Sequence, residues 1–153
     1  MIFLKKNVNL NKLIIMPYPE EMCAPMRAEL TSAGVKELRT SQDVDDVFQS
    51  NPKTLLVFIN SVCGCAAGSA RPGLIMSMEN ELKPEQTTTV FAGQDLEATN
   101  KAREYMMPYP ASSPSIAFFQ NGDLVYFMER HEIEGSLKHV IAEKLISIYN
   151  QYC

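Results

Sequence analysis

Hydrophobic positions along this chain alternate between two periods once an amino-terminal extension has ended. Apolar residues that recur every three or four positions predict helices, and continuous or β-branched apolar runs predict strands. The pattern predicts helices over 19–33, around 41–48, from 66 to about 82, over 96–106 and from about 137 onward. It predicts strands over 35–39, 54–60, 87–92, 115–120 and 124–129.

Strands and helices follow each other in turn up to the last two strands, which a tight turn joins. The run TLLVFIN over 54–60 is mostly apolar, as in a strand that is covered on both faces. Asn121 and Gly122 are a preferred hairpin pair, so the strands on either side of them are expected to be antiparallel. The predicted fold class is therefore α/β, with a central mixed sheet and helices on both faces.

Individual residues predict the buried face and the shape of the first helix. Met22, Met26 and Leu30 recur every four positions and predict its buried face. Cys23 is placed on this methionine-rich face as a small buried residue, and Pro25 predicts a kink.

Two further helices carry boundary residues. Ser41 is the predicted cap of the second helix, because its hydroxyl suits the first unpaired backbone N–H groups. Pro72 and Gly73 predict a bend in the helix that follows residue 65.

Length and composition indicate one globular domain. The 153 residues are 46% hydrophobic, which allows a proper core but not two ordinary domains. The net charge is -4 without a cluster of lysines or arginines, so no nucleic-acid partner is expected. The apolar runs are too short to cross a bilayer, so no membrane partner is expected. We predict an extension over 1–17 and one domain over 18–153.

The extension is not predicted to be a secretory signal. Asn7, Asn9, Asn11 and Lys12 interrupt its apolar segment, and no small-residue cleavage site follows. We therefore expect an intact extension and a cytoplasmic protein. In that reducing compartment, the four cysteines are not interpreted as structural disulfides.

Two of the cysteines, Cys63 and Cys65, follow the strand 54–60 with one glycine between them. Such a pair indicates metal binding or redox chemistry. At the start of a helix, unpaired N–H groups and the helix dipole favour a thiolate, so a lowered pKa is expected for Cys63. A disulfide across so short a ring is expected to be strained and easily reduced, and Gly64 eases the ring by tolerating unusual dihedrals.

A proline precedes the strand 115–120. In this order of elements, Pro114 is predicted to follow a cis peptide bond, although only about 5–6% of such bonds are cis in general. A cis bond there would turn the backbone of Ser113 toward the cysteines. That backbone would then pair with an extended substrate as an added strand.

Four motifs, NSVCGCAAGSARPG, FAGQDLEATNKAREY, PASSPSIAFF and RHEIEG, resemble the bacilliredoxins of the CGC type. The resemblance covers roughly residues 20–153. It implies a thioredoxin-like fold and removal of a low-molecular-weight thiol, bacillithiol, from mixed disulfides on cytosolic proteins. It also implies weak disulfide isomerase or reductase activity.

The resemblance assigns roles by position. Cys63 would be the nucleophile that accepts the thiol cap, Cys65 the resolving residue, and Pro114 the cis-proline that faces them. The implied partners are S-thiolated proteins, the small thiol and a recycling reductant or reductase, with no cofactor. The extension and Cys23 are not part of the motif.

Other interpretations of these residues stay open. The cysteine pair also fits a metal-binding or metal-delivery module, or a redox sensor that does not turn over. The guanidinium of Arg71 is either solvated or forms a bidentate contact with a carboxylate of the thiol ligand. His131 is either structural or close enough to relay a proton. Cys153 is either a frayed terminus, a third thiol that folds back to the site, or a link between molecules.

Overall fold

Helices and strands alternate in the predicted order. The computed structural model describes residues 17–153, so nearly all of the predicted extension lies outside the described residues. The helices are α1 Glu20–Thr31, α2 Ser41–Gln49, α3 Arg71–Ser77, α4 Leu96–Tyr105, α5 Arg130–Ile133 and α6 Lys138–Tyr152, and a π-helical turn over Ala66–Ala70 precedes α3. The strands are β1 Lys36–Glu37, β2 Thr54–Asn60, β3 Gln86–Phe91, β4 Ser115–Gln120 and β5 Asp123–Met128.

The five strands form one mixed sheet in the order β1-β3-β2-β4-β5. β1, β3 and β2 are parallel, whereas β4 runs antiparallel to both β2 and β5. All seven residues of β2 are buried, as its apolar sequence predicts for a central strand. The predicted α/β class with a mixed sheet is confirmed.

One hydrophobic core lies on each face of the sheet. Alternate residues of β2 serve the two faces, with Leu55, Val57 and Ile59 in one core and Leu56 and Phe58 in the other. The first core lies under α2 and α4, and the second lies under α1, α3 and α6. The sheet is therefore covered on both sides, as predicted.

The predicted buried face of α1 is wrong in part. Its buried residues are Cys23, Arg27 and Leu30, whereas Met22 is 43% exposed. Arg27 occupies the face because carboxylates of other elements pair with it there. Cys23 is fully buried, as predicted.

Helix boundaries differ from the prediction at three points. Thr40, rather than Ser41, caps α2, and it forms a capping box with Asp43. The irregularity after the cysteine pair is the π-helical turn over Ala66–Ala70, upstream of the predicted bend. The short helix α5 has no counterpart in the prediction.

Helices α3 and α6 are closely packed at Gly73. A Cβ atom at this position would lie 2.8 Å from Ile141 Cγ2 and 2.9 Å from the carbonyl oxygen of Lys138. We expect Gly73→Ala to lower the free energy of unfolding by about 1–3 kcal/mol, because the backbone oxygen cannot move aside without shifting α6. Urea unfolding followed by circular dichroism measures the change.

Gly68→Ala is the matched control. Gly68 is exposed in the π-helical turn, and a Cβ there would meet nothing within 4 Å. Alanine is therefore expected to leave the stability unchanged or to raise it by about 0.5–1 kcal/mol. Equal losses of stability in both variants would contradict the close packing proposed for Gly73.

Candidate active site

Cys63 and Cys65 form a disulfide just beyond the carboxyl end of β2. Their Cα atoms are 5.5 Å apart, and both residues are half-buried while Gly64 between them is exposed. The cysteine pair predicted from the CGC motif is therefore close enough to exchange a bond. The face of the ring that carries Gly64 is open to solvent.

Backbone hydrogen bonds place Cys63 at the entry of a helical segment. The N–H groups of Ala66 and Ala67 donate to the Cys63 carbonyl oxygen at 3.1 and 3.3 Å. The N–H of Cys63 donates to Ser61 Oγ at 3.2 Å, which fixes the approach from β2. The lowered pKa expected for Cys63 stays a prediction, because neither sulfur titrates in the disulfide.

Arg71 supports the loop that carries Cys63. It is only 2% exposed, and its Nη1 donates to the Ser61 carbonyl oxygen and to Asn60 Oδ1, both at 3.0 Å. Its Nε donates to Glu29 Oε2 at 2.7 Å. The solvated interpretation of Arg71 is therefore wrong, because these acceptors hold its charge inside the protein. Binding of a ligand carboxylate by Arg71 stays a prediction.

Asn60 joins these groups at the last position of β2. Its Oδ1 accepts the N–H of Ser61 at 2.9 Å in addition to Arg71 Nη1, and its Nδ2 contacts the Met26 carbonyl oxygen at 3.5 Å. The end of β2, α1 and α3 are thus linked through one buried amide. Sequence reasoning missed Asn60, although a polar residue that ends an apolar strand was a usable signal.

Pro114 follows a cis peptide bond, as predicted, and it is buried. Ile59 pairs with Ser115 between β2 and β4, so the residues before Ser115 lie beside the residues after Ile59. The cis-proline loop and the cysteine loop therefore lie side by side at one end of strands β2 and β4. A second cis bond, before Pro108, was not predicted.

The backbone of Ser113 already has one partner within the protein. Its carbonyl oxygen accepts a hydrogen bond from Arg130 Nη1 at 3.2 Å. The Ser112 hydroxyl accepts the backbone N–H of Arg130 at 2.8 Å, so α5 is attached to the cis-proline loop. Pairing of Ser113 with an extended substrate stays a prediction.

A cavity of about 470 Å³ lies beside the cis-proline loop. Its walls combine this loop with side chains of α4 and of the segment after β5: Arg103, Ser112, Ser113, Glu129, Arg130 and His131. His131 thus lies near the loop of Pro114, with its Nδ1 3.4 Å from Glu129 Oε2. Sequence reasoning missed Arg103, because nothing in the pattern of α4 distinguishes it from a surface arginine.

The structure does not show the backbone role expected of Gly64. Its φ angle is not in the left-handed region, and a Cβ atom there would meet nothing within 4 Å. The disulfide state described here therefore does not need a glycine for its backbone conformation. Gly64 is instead an exposed position in the ring.

The other two cysteines lie apart from this pair. Cys153 Sγ is 3.8 Å from Thr54 Oγ1, at the start of β2, whereas Cys63 follows the end of that strand. The interpretation of Cys153 as a thiol that folds back to the site is therefore wrong. Burial raises the pKa of the Cys23 and Cys153 thiols, which disfavours their reactive thiolates. Within residues 17–153, no three His, Cys, Asp or Glu side chains are grouped as metal ligands.

Solved thioredoxins share the fold. Thioredoxin O2 from Arabidopsis thaliana, in its oxidised state, superposes with a TM-score of 0.56 at 15% identity, over 80% of this chain and 97% of its own. The oxidised thioredoxin from Plasmodium falciparum gives a TM-score of 0.55 at 19% identity, over 76% and 98%. The thioredoxin fold is thus shown. Among the helices of residues 17–153, none is long and apolar enough to span a bilayer.

The family model described as disulphide isomerase matches residues 18–153. Together with the bonded cysteine pair on this fold, this match shows that the protein is a thiol–disulfide oxidoreductase. The chain belongs to the bacilliredoxin family. Bacilliredoxin from Cytophaga hutchinsonii is 54% identical over 88% of this chain and 98% of its own length. A bacilliredoxin from Salinibacter ruber is 51% identical over 90% and 82%.

Proposed function

We propose that the protein removes a low-molecular-weight thiol of the bacillithiol type from mixed disulfides on cytosolic proteins. The observation that carries the proposal is the Cys63–Cys65 disulfide, which stands at a helix entry beside a cis-proline and is open on the side of Gly64. The relatives named bacilliredoxin support the same reaction for this chain. Weak disulfide reductase or isomerase activity follows from the same chemistry.

The first step transfers the cap from the target protein to Cys63. The Cys63 thiolate attacks the cap sulfur of the mixed disulfide, and a new bond forms between these two sulfurs. The bond between cap and target breaks, and the target cysteine leaves as a thiolate that solvent protonates. The helix entry at Cys63 favours the attacking anion.

The second step releases the cap. The Cys65 thiolate attacks Cys63 Sγ, the bond to the cap breaks, and the small thiol leaves while the Cys63–Cys65 disulfide forms. The dithiol has then given two electrons to the mixed disulfide. A dithiol reductant or two small thiols then reduce the Cys63–Cys65 disulfide back to the dithiol by thiol–disulfide exchange. A free small thiol can also remove the cap directly from Cys63.

The surrounding residues position these sulfurs. Arg71 holds the Ser61 carbonyl oxygen, and Ser61 Oγ accepts the N–H of Cys63, so the loop has a fixed course before the substrate arrives. The loop of Ser113 and Pro114 lies at the same end of the central strands as the cysteine loop and would hold the target backbone. Gly64 between the cysteines is exposed, so the ring is open to solvent on that side.

A set of capped targets tests this function. The reduced protein is incubated with one target protein capped by bacillithiol, glutathione or cysteine, and mass spectrometry follows both partners. We expect the target to lose its cap faster than by uncatalysed exchange, and repeatedly when a reductant is present. A single turnover despite the reductant would indicate a sensor, and no acceleration with any cap would contradict the proposed function.

A further inference from the structure

Arg103 is the one arginine in residues 17–153 that lacks a carboxylate partner. Its Nε is shielded from solvent and has no hydrogen-bond partner in the structure. The other arginines of the chain, Arg27, Arg39, Arg71 and Arg130, each contact at least one carboxylate. A half-buried guanidinium without a partner costs stability, so an anion that enters this cavity would gain a favourable contact with Arg103.

The other charged groups of this cavity are already paired. Arg130 Nη2 is 3.4 Å from Glu134 Oε1, and His131 Nδ1 is 3.4 Å from Glu129 Oε2. The second of these contacts joins two charges only when the imidazole is protonated, so Arg103 is distinguished by the lack of a carboxylate partner rather than by an excess of positive charge. Burial lowers the pKa of Arg103, which agrees with the absence of an anion beside it. The cavity thus offers a place for one anionic group.

The size and position of the cavity favour a small molecule. Its volume of about 470 Å³ lies within the range of about 300–1,000 Å³ that is typical of small-ligand sites. Ser112 and Ser113, which lead into the cis-proline, form one of its walls. A molecule bound there lies beside the cis-proline loop, which neighbours the cysteine loop through the Ile59–Ser115 pair.

We propose that this cavity binds a carboxylate of the small-thiol cap, with Arg103 as its counter-ion. The inference rests on the proposed function and adds that the protein prefers anionic caps because of Arg103. Arg71 is poorly placed for this task, because its Nε and Nη1 already donate to Glu29, Asn60 and Ser61. Arg103 has no carboxylate partner within residues 17–153, and a guanidinium suits a carboxylate well.

Two caps that differ in charge test the proposal. One target peptide, with its carboxyl terminus amidated, is capped with 3-mercaptopropionate (anionic) or with 2-mercaptoethanol (neutral), and kcat/KM for cap removal is measured. We expect the wild-type protein to prefer the anionic cap. Arg103→Gln is expected to lower kcat/KM for that cap by about 10- to 100-fold, mainly through KM, and to leave the neutral cap unchanged.

Lys101→Gln is the matched control on the same helix. It removes the same charge, but Lys101 is paired with Asp45 and Glu104 outside the cavity, so the preference between caps should persist. Arg103→Lys keeps the positive charge without the bidentate guanidinium, and it should retain part of the preference for the anionic cap. Arg103→Gln is expected to fold, because it removes an unpaired charge, and its thermal unfolding is recorded alongside.

Three outcomes would overturn the proposal. Equal losses for both caps in Arg103→Gln would mean that Arg103 acts on the peptide or on the structure rather than on the cap. A wild-type protein that removes both caps equally well would show that no carboxylate is recognised, while the proposed function stands. Removal of neither cap by a protein that still releases bacillithiol from a capped target would show that a carboxylate alone does not direct binding, and would overturn the assignment of Arg103; failure with the bacillithiol-capped target as well would reject the proposed function.

Discussion

Replacement of Cys63 by alanine is expected to lower the rate of cap removal by a factor of about 10³ or more, because no other thiolate can take the cap. Cys65→Ala is expected to complete the first step and then to accumulate the cap on Cys63. The two variants therefore separate the nucleophile from the resolving residue. Mass spectrometry of the intact protein, followed by peptide mapping, identifies the capped cysteine.

The structure supports this order of attack. Cys63 is the cysteine at the helix entry, whereas Cys65 lies within the helical segment and packs against the core on one face of the sheet. The double variant Cys63→Ala/Cys65→Ala gives the rate of uncatalysed exchange, because it lacks both thiols of the site. A cap found equally on both cysteines of the wild-type protein, or a Cys63→Ala variant that still removes caps, would show that the assigned roles are wrong.

Arg27→Met is expected to lower the free energy of unfolding by about 3–5 kcal/mol, as for a broken buried ion pair. The guanidinium is only 7% exposed, and its Nη1 contacts Asp95 Oδ2 at 2.6 Å and Glu37 Oε1 at 2.9 Å. Asp95 is itself only 8% exposed, so its carboxylate would stay buried after losing its nearest cation. The guanidinium also lies 5.1 Å from the centre of the Phe91 ring, and this contact is lost as well.

Arg39→Met is the control, because Arg39 faces the same carboxylates from the surface. It is 50% exposed and contacts Glu20, Glu37 and Asp95 at 3.4 to 3.7 Å. We expect it to cost no more than about 1 kcal/mol, as exposed ion pairs do. Urea unfolding followed by circular dichroism compares the two variants, and similar losses would contradict the importance of burial at Arg27.

The sequence predicted those features of the fold that depend on neighbouring residues. β2 has the predicted bounds, because a continuous apolar run is closed at both ends by polar and turn residues. The hairpin forms at Asn121 and Gly122, both of which have the positive φ angles that such a turn requires. The strand-end position of the cysteine pair follows from the same local pattern, whereas the cis bond before Pro114 is predicted from the order of the elements along the chain.

Features that depend on distant residues could not be predicted. The buried face of α1 contains Arg27 because Glu37 and Asp95 converge on it from β1 and from the start of α4. The setting of Arg103 likewise depends on three segments: α4, the cis-proline loop and the residues after β5. One sequence without its fold does not show which charges meet, so it does not predict the buried hydrogen bonds of Arg71 or the setting of Arg103.

The hydrogen bonds around Arg71 have a consequence for the catalytic cycle. The contacts among Arg71, Asn60, Ser61 and the N–H of Cys63 use nitrogen and oxygen atoms alone. Opening the disulfide breaks none of them, so we expect the framework that carries the sulfurs to keep its course when the cysteines are reduced. A reductant that opens the disulfide would then have only a sulfur–sulfur bond to cleave, without a rearrangement of this loop.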